Sequence, residues 1–418
     1  MICGDCSAVL PSLPDNSIDL LLTDPPYGLS FLGKNWDKAV PSVEIWRQCV
    51  RVLKPGAFAF IMSSPRLDCL GEMSRRLVEA GFRIDFSPIF WAYANGFPKA
   101  ENIAKAVDKR LGVQPEIISE RRQNGAKFKL IQQEIDNGGF NDPNRTSFKI
   151  TRPVSQQAKA LTGSFGGLQM KPAVEVIIVA MKPPGEKTWV DQALKNGKGV
   201  SWLDDCRIPL AEGENLEKIR KNERKLDTNN QGRGFKSGNR DNRARFPANL
   251  LVSDDVLDDG VRSLSCHFSL DGWWKERIGK LPENVQKTFP FLNVPKPSPK
   301  EKNMGLDDMP EVVKSNLPLR NGSGNYVKNE YGDGSRSTRN TKTRNVHPTV
   351  KPLKLMMYLT MLGSRPGNIV LDPYLGSGTT AMACKMLGRN FIGIEINPEY
   401  CEIARKRLAA ITNLNCYV

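Results

Sequence analysis

The chain has 418 residues, of which 39% are hydrophobic and 25% charged, a composition typical of a globular protein with two or three domains. No apolar run could cross a membrane, no signal peptide is evident and only two histidines occur, which predicts a cytoplasmic protein without a membrane partner or metal site. The net charge of +15 favours a polyanionic partner such as nucleic acid, although a solvated basic surface explains it equally well.

The first hundred residues alternate strand and helix patterns, which predicts a parallel α/β fold. Strands are expected over residues 2–5, 18–24 and 57–63, helices over 43–53 and 67–80, and an aromatic extended stretch over 82–91. The second strand ends on Asp24, which is followed by Pro25, Pro26 and Tyr27. Neither proline can donate to a sheet, so these residues form a stiff loop at the carboxyl edge, where open α/β sheets bind ligands.

The middle of the chain is basic and poor in apolar patterns. Residues 101–345 hold 42 Lys and Arg against 31 Asp and Glu. One clear strand is predicted over 174–181, whereas the polar stretches 228–245, 293–302 and 321–345 are predicted as loops. The candidates for phosphate or guanine contacts are Arg233, Arg240, Arg243 and Arg245. Solvation of these charges at the surface is an equally good interpretation.

The last seventy residues return to the α/β pattern, with strands predicted over 368–372 and 391–396 and helices over 379–387 and 398–410. Gly376-Ser377-Gly378 opens a G-x-G-x-x-A pattern after a strand, and Glu395 ends the next strand. This pattern fits a dinucleotide site, and equally any fold that binds a nucleoside in that crevice. Asp372 and Tyr374 precede the loop, and a carboxylate there suits a ligand with an ammonium group.

Three motifs together resemble those of the DNA amino-methyltransferases, which move a methyl group from S-adenosylmethionine (SAM) to the exocyclic nitrogen of adenine or cytosine. They are D-P-P-Y at 24–27, H-P-T-V-K-P at 347–352 and the glycine loop. The similarity covers about the first 110 and the last 75 residues. Leu375 departs from the family pattern, which usually has Phe before the glycine loop.

The order of the motifs resembles the beta-ordered group of that family, in which the SAM-binding sheet is circularly permuted. This resemblance implies a mostly parallel, Rossmann-like α/β sheet with an inserted target-recognition region. Residues 1–110 would form the catalytic half, 111–345 the DNA-binding region, with strand 174–181 rejoining the sheet, and 346–418 the SAM-binding half.

The resemblance also implies roles for individual residues. Asp24 and the carbonyl of Pro25 would accept hydrogen bonds from the target amino group, Pro26 would hold the loop rigid, and Tyr27 would stack on a base flipped out of the duplex. A second aromatic ring from Phe90, Trp91 or Tyr93 would cover the other face, or belong to the core. The residues implied in SAM binding are Asp5, Cys6, Thr349, Lys351, Asp372, Tyr374, Gly376, Ser377, Gly378 and Glu395.

Within that set, Asp5 would accept from the adenine amino group of SAM, Asp372 would face the methionine ammonium group, and Glu395 would take the ribose hydroxyls. Thr349 and Lys351 would line the methionine end. Alternatives stay open, because Asp5 also suits a helix cap and Lys351 a surface turn.

The implied partner is double-stranded DNA in a prokaryotic or phage context, and the family is compatible with a homodimer and with a cognate restriction endonuclease. Asp at the first motif position leans to adenine N6 and Ser to cytosine N4, so the N4-cytosine enzyme is the nearest alternative. An RNA or protein methyltransferase is a further one. A nicotinamide dehydrogenase leaves D-P-P-Y unexplained, and a non-catalytic DNA-binding protein leaves the nucleoside crevice unexplained.

Overall fold

The computed structural model describes residues 1–29, 37–93, 100–122, 147–168, 170, 173–210, 244–252, 257–258, 264–279, 299–314, 341–347 and 349–411. The strands in this part are β1 (Ile2–Cys3), β2 (Leu20–Thr23), β3 (Phe58–Ser63), β4 (Ile89–Ala92), β5 (Glu116–Arg122), β6 (Ser147–Arg152), β7 (Val174–Met181), β8 (Ile208–Pro209), β9 (Ala244–Arg245), β10 (Leu250–Val252), β11 (Val312–Lys314), β12 (Thr341–Thr343), β13 (Ile369–Asp372) and β14 (Asn390–Glu395). The helices are α1 (Cys6–Val9), α2 (Val43–Val52), α3 (Leu67–Glu79), α4 (Ile103–Arg110), α5 (Gln156–Ala160), α6 (Trp189–Asn196), α7 (Leu270–Gly279), α8 (Pro299–Lys302), α9 (Leu353–Gly363), α10 (Thr379–Met386) and α11 (Pro398–Ala409).

One large sheet organises the molecule, with strand order β1-β14-β13-β2-β3-β7-β4-β10. Neighbouring strands are parallel except at β7, which runs antiparallel to both β3 and β4. The predicted mostly parallel α/β fold is therefore confirmed. The chain passes from β2 to β3 in one direction and from β13 to β14 in the other, so β2 and β13 flank a switch point, where such sheets bind ligands.

Helices cover both faces of this sheet because the central strands are apolar on both sides. In β2, Leu20 and Leu22 belong to one core cluster and Leu21 to the other. Helix α9 is buried along its whole length and packs on the first of these clusters. It approaches the sheet so closely that a Cβ added to Gly363 would lie 2.6 Å from Leu20 Cδ1.

The amino edge of the sheet is fixed by a buried carboxylate. Asp19 is 3% exposed and accepts from the Ile369 backbone amide at 2.9 Å, which ties β2 to β13. Lys54 Nζ and Lys198 Nζ lie 2.7 Å and 2.8 Å from Asp19 Oδ1. Burial alone would raise the pKa of Asp19, but these donors outweigh burial and the pKa is lowered.

The predicted element bounds agree with the structure to within about two residues for most strands and helices of the large sheet. The exceptions are the stretch 82–91, in which β4 begins only at Ile89, and helix α9 and strand β10, which the sequence interpretation does not contain. A run such as 355–362, in which Thr360 is the only residue without a large apolar side chain, indicates a helix buried on all sides.

The prediction of loops in the basic middle is wrong at three places. Arg245 lies in β9, residues 299–302 form α8, and residues 341–343 form β12. Short elements of this kind consist of a few backbone hydrogen bonds and do not need an apolar core. Composition therefore does not predict them. Apart from Ala244, Arg344 and Asn345, the remainder of the three stretches lies outside the described residues, together with Arg233, Arg240 and Arg243.

Across the described part of the chain, no helix has the length and apolar character that crossing a membrane requires. In the same residues, no three His, Cys, Asp or Glu side chains are grouped so that they could hold a metal ion.

Candidate active site

The candidate site lies at the carboxyl ends of β2 and β13, which are neighbours in the sheet. The D-P-P-Y segment follows β2, and the glycine loop follows β13. Thr23 Oγ1, at the last position of β2, donates to Asp372 Oδ1 at 2.7 Å. This buried hydrogen bond holds the two segments side by side.

The glycine loop is shaped by two positive backbone angles and a close neighbour. Gly376 has φ +56° and Gly378 has φ +84°, a region that other residues enter only with strain. A Cβ added to Gly376 would lie 2.7 Å from Nε2 of His347, whose ring packs edge-on against Tyr400 at 4.6 Å. The H-P-T-V-K-P segment, whose Pro348 lies outside the described residues, therefore meets the glycine loop directly.

Ser377 supports the loop from inside the protein. The guanidinium of Arg407, which is fully buried, donates from Nη1 to the Ser377 carbonyl at 2.6 Å and to Ser377 Oγ at 3.0 Å. Burial lowers the pKa of Arg407 to about 10. The Ser377 side chain is thus engaged by the protein, and the loop backbone is what remains to face a ligand.

Asp372 is also largely engaged by the protein. Its carboxylate, 3% exposed, accepts from Thr23 Oγ1, from Thr380 Oγ1 at 2.6 Å and from the Tyr374 amide at 3.1 Å. A carboxylate offers about four acceptor positions, so these donors leave about one for a ligand. Burial raises the pKa of Asp372 to about 6 even though its donors act in the opposite direction.

Glu395 holds the other side of the loop. Its Oε2 accepts from the Gly376 amide and its Oε1 from the Asn397 amide, both at 2.8 Å. Burial raises the pKa of Glu395, and these backbone donors only partly offset that effect. The carboxylate keeps about two acceptor positions, which is what a diol would need.

Asp5 and Cys6 lie at the end of β1, next to β14 in the sheet. Asp5 caps α1, and its Oδ1 accepts from the amide and the hydroxyl of Ser7, both at 2.8 Å. Cys6 is buried beside the hydroxyl of Tyr374, and burial raises the pKa of both groups. The helix-cap alternative for Asp5 is therefore the arrangement that this structure has.

The D-P-P-Y loop is tied down at both ends. Tyr27 Oη donates to Asp24 Oδ1 at 2.6 Å, so the first and last residues of the motif are hydrogen-bonded to each other. The amides of Tyr27 and Gly28 donate to Asp37 Oδ1 at 2.7 Å and 3.1 Å. Pro25 is buried between these anchors.

Lys351 lies at the D-P-P-Y loop rather than on an open turn. Its Nζ is 2.9 Å from Asp24 Oδ2, 3.1 Å from Glu175 Oε2 and 3.2 Å from Tyr27 Oη. Burial alone would lower the pKa of Lys351, but the two carboxylates outweigh it and raise the pKa. Thr349 lies two residues earlier, and its amide donates to His347 Nδ1 at 3.3 Å.

Glu175 was not among the predicted site residues. It stands second in β7, and its carboxylate reaches both Lys351 and the hydroxyl of Tyr27, 3.5 Å away. Burial raises the pKa of Asp24, Lys351 lowers it and Glu175 raises it further. With both acids ionised, this acidic cluster of Asp24, Glu175 and Lys351 carries a net charge of −1 and suits a ligand that donates N–H bonds.

The aromatic residues after β3 are less open than a base-stacking role requires. Trp91 and Tyr93 are 2% and 4% exposed, and their ring centroids are 5.0 Å apart within the core. Phe90 is half-buried. Of these three rings, the structure places two in the core.

A family model described as DNA methylase, for N6 and N4 methyltransferases, matches residues 18–406. The type II methyltransferase M2.DpnII of Streptococcus pneumoniae is 44% identical over 82 residues, which are 20% of this chain and 31% of that protein. M.HpaI of Haemophilus parainfluenzae, also a type II methyltransferase, is 51% identical over 67 residues, 16% of this chain and 21% of that one. The matches thus span about a third or less of these relatives.

Among solved structures, the M1.HpyAVI–SAM complex is 17% identical with a TM-score of 0.37, covering 97% of both chains. The PvuII DNA methyltransferase, described as cytosine-N4-specific, is 14% identical with a TM-score of 0.40, covering 97% of this chain and 84% of that one. At these scores the chains differ too much for a residue-by-residue comparison.

Proposed function

Because this chain belongs to the DNA methylase family, we propose that it transfers the methyl group of SAM to the exocyclic N6 of adenine in double-stranded DNA. The observation that carries the proposal is the hydrogen bond between Thr23 and Asp372. It holds the D-P-P-Y loop, which is the candidate to bind the target amino group, beside the glycine loop, which is the candidate to bind the methyl donor. A methyl transfer needs these two groups next to each other.

The protein's task in this reaction is to make a poor nucleophile attack. An exocyclic amino group delocalises its lone pair into the ring, and acceptors that pull on its N–H bonds localise that pair on nitrogen. We assign these acceptor roles to the Asp24 carboxylate and the Pro25 carbonyl, which Pro26 and the Asp37 contacts keep in place. Tyr27 is the candidate to stack on the flipped base.

The crevice fits SAM in charge and in space. Carboxylates at the ends of β1, β13 and β14 offer acceptors to a ligand rich in donors, and the absence of a side chain at Gly376 lets His347 pack against the loop. We assign SAM binding to the sequence-predicted set, with Asp5, Asp372 and Glu395 as its acceptors. When bound, SAM supplies an electrophilic methyl group that the amino nitrogen takes in one displacement, without a covalent enzyme intermediate.

We further propose that the sheet is a circular permutation of the usual SAM-binding sheet. The motif order supports this, as does the strand order, in which β1 follows β14 across the sheet although it comes first in the chain. In this proposal residues 1–110 are the catalytic half, 346–418 the SAM-binding half, and 111–345 the target-recognition region, apart from β7.

The target base follows from the first motif residue. Asp24 favours adenine N6, and cytosine N4 is the second candidate because the same acceptors serve either amino group. A homodimer, a cognate restriction endonuclease and a cytoplasmic setting stay predictions from the family resemblance.

The test is to express the chain in a methylation-deficient bacterium, digest its DNA to nucleosides and quantify methylated bases by mass spectrometry, with Asp24→Ala as control. N6-methyladenine that is lost in Asp24→Ala is the expected result. N4-methylcytosine would overturn the assignment of the base and leave the chemistry standing. The absence of both, from protein that binds SAM, would contradict DNA as substrate and direct the next assay to RNA.

A further inference from the structure

Within the acidic cluster, the carboxylate that is assigned to the target amino group already accepts from donors of the protein. Asp24 Oδ1 accepts from Tyr27 Oη at 2.6 Å, and Asp24 Oδ2 faces Lys351 Nζ at 2.9 Å. Both oxygens of the carboxylate assigned to the target base are therefore bonded to strong donors of the protein. These two donors leave about two of the four acceptor positions, and the positive charge of Lys351 lowers the affinity of the carboxylate for further protons, so the pair opposes the role assigned to Asp24.

Glu175 offers an alternative acceptor to the same two donors. Its Oε2 lies 3.1 Å from Lys351 Nζ and 3.5 Å from Tyr27 Oη, so each donor sits between the two carboxylates. Glu175 is held on β7, whose pairing with β3 and β4 fixes its backbone, whereas Asp24 lies on the loop that ends β2. A small shift of the donors toward Glu175 exchanges one carboxylate for the other.

Resting on the proposed function, we propose that Glu175 is a positioning residue for the methyl transfer: it takes up the Lys351 ammonium and the Tyr27 hydroxyl when the target amino group reaches Asp24. The exchange frees acceptor positions on Asp24 for the N–H bonds of the base. It also keeps the charge of the cluster at −1, which stabilises the positive charge that develops on the attacking nitrogen.

The charge of Glu175 has a pH signature that a neutral side chain at this position lacks. The charged and titratable groups that face Asp24 are Lys351, Glu175, Tyr27 and Asp372, and Tyr93 faces the first two of these. Burial is the largest influence and raises the pKa of Asp24, and the charge of Glu175 raises it further. Removal of that charge lowers the pKa of Asp24, so the acid limb of the kcat profile moves to lower pH.

The experiment compares Glu175→Gln with the wild type, using the full chain, SAM and unmethylated DNA from a methylation-deficient host. The matched control is Glu44→Gln, whose carboxylate lies exposed on α2 in a surface ion pair. We expect Glu175→Gln to lower kcat by about 10- to 100-fold, with a smaller change in KM for SAM and the acid limb shifted to lower pH. Wild-type kcat and an unshifted profile in Glu175→Gln would overturn the inference.

Glu175→Asp keeps the test decisive if the glutamine variant unfolds, because aspartate retains the charge. It should recover part of the lost kcat and keep the acid limb near its wild-type position; a profile shifted to lower pH would contradict the role of the charge. The two proposals fail separately. If the wild type methylates no DNA, the proposed function is contradicted. If the wild type is active and Glu175→Gln has the same kcat and pH profile, only this inference is contradicted.

Discussion

A carboxylate lies at each end of β2, and the surroundings shift the pKa of the two carboxylates in opposite directions. At the amino end, one acid, Asp19, has two lysines and a backbone amide as donors, and its pKa is lowered. At the carboxyl end, Asp24 shares one lysine, Lys351, with a second acid, Glu175, and its pKa is raised. The strand between them is entirely buried, and its only polar residue is Thr23 at the carboxyl end.

The direction of the pKa shift distinguishes a carboxylate that stabilises the fold from one that is a candidate for catalysis. A carboxylate whose pKa is lowered by folding stabilises the fold at neutral pH, because ionisation is easier in the native state. A carboxylate whose pKa is raised does the reverse: its contribution favours the fold in acid and is lost as pH rises through the folded pKa. We conclude that Asp19 anchors the sheet and that Asp24 is kept in a less favourable state, which functional sites often require.

The largest expected effect is on catalysis. Asp24→Asn keeps the shape of the side chain and removes its charge, so it should lower methyl transfer by about 1000-fold. Single-turnover transfer of labelled methyl groups to DNA measures the loss. Activity within threefold of the wild type would contradict the contrast with Asp19, because the Asp24 charge would then have no role in methyl transfer.

Asp19→Asn is the matched change at the other end of the strand. It leaves Lys198, whose side chain is 8% exposed, without its ionic partner, and should lower the free energy of unfolding by about 3 kcal/mol. Urea denaturation measures this loss, and methyl transfer per folded molecule should stay near the wild-type value. A variant as stable as the wild type would show that Asp19 anchors nothing.

Two glycines extend the comparison to β13. Gly367 precedes this strand and Gly376 follows it, and both have positive φ. An added Cβ has open space at Gly367 but meets His347 at 2.7 Å at Gly376. Both alanine variants should lose about 1 kcal/mol of stability from backbone strain. Gly376→Ala should lose more, because its Cβ would overlap His347, and only this variant should also bind SAM about 10-fold more weakly. Calorimetric titration with SAM distinguishes them; equal affinities would contradict the assigned loop.

The smallest effect is the acid dependence of stability. The pKa of Asp19 is lowered from an unfolded value of about 3.9, so its contribution is complete above that value and is lost as pH falls through the folded pKa. The stability gap between the wild type and Asp19→Asn should therefore narrow as pH falls from 5 toward about 3. Urea denaturation across this range tests it, and a constant gap would assign the stabilisation to something other than the charge.

The sheet was predictable because its strands carry strong local signals. Strand β7 has the predicted bounds, because the apolar run 176–181, which follows Val174 and Glu175, ends before Lys182, and two prolines come next. The sequence predicts an extended stretch that begins seven residues before β4, because aromatic residues between Phe82 and Ile89 are compatible with strand and loop alike. The described residues of the basic middle form short pairings that depend on partners distant in the chain, which composition does not reveal.

The candidate site was predictable as motifs but not as contacts. The sequence places Asp24 and Asp372 at strand ends, whereas the Thr23 bond between those ends depends on which strands are neighbours. No local signal marks Glu175 as a site residue, because it is a polar residue near the start of a strand and its partner Lys351 lies in the other half of the chain. Lys351 was assigned to the methionine end of SAM, and its contacts with Asp24 and Glu175 add a role that spacing alone did not indicate.

The most direct test of the contrast between the two ends of β2 is to measure the free energy of unfolding of Asp24→Asn at pH 7.5, on the same samples that are assayed for methyl transfer. The predicted result is an inactive protein that is at least as stable as the wild type, because a carboxylate held in an unfavourable state has been removed. A loss of stability comparable to that of Asp19→Asn would contradict it, because Asp24 would then be a structural anchor like Asp19.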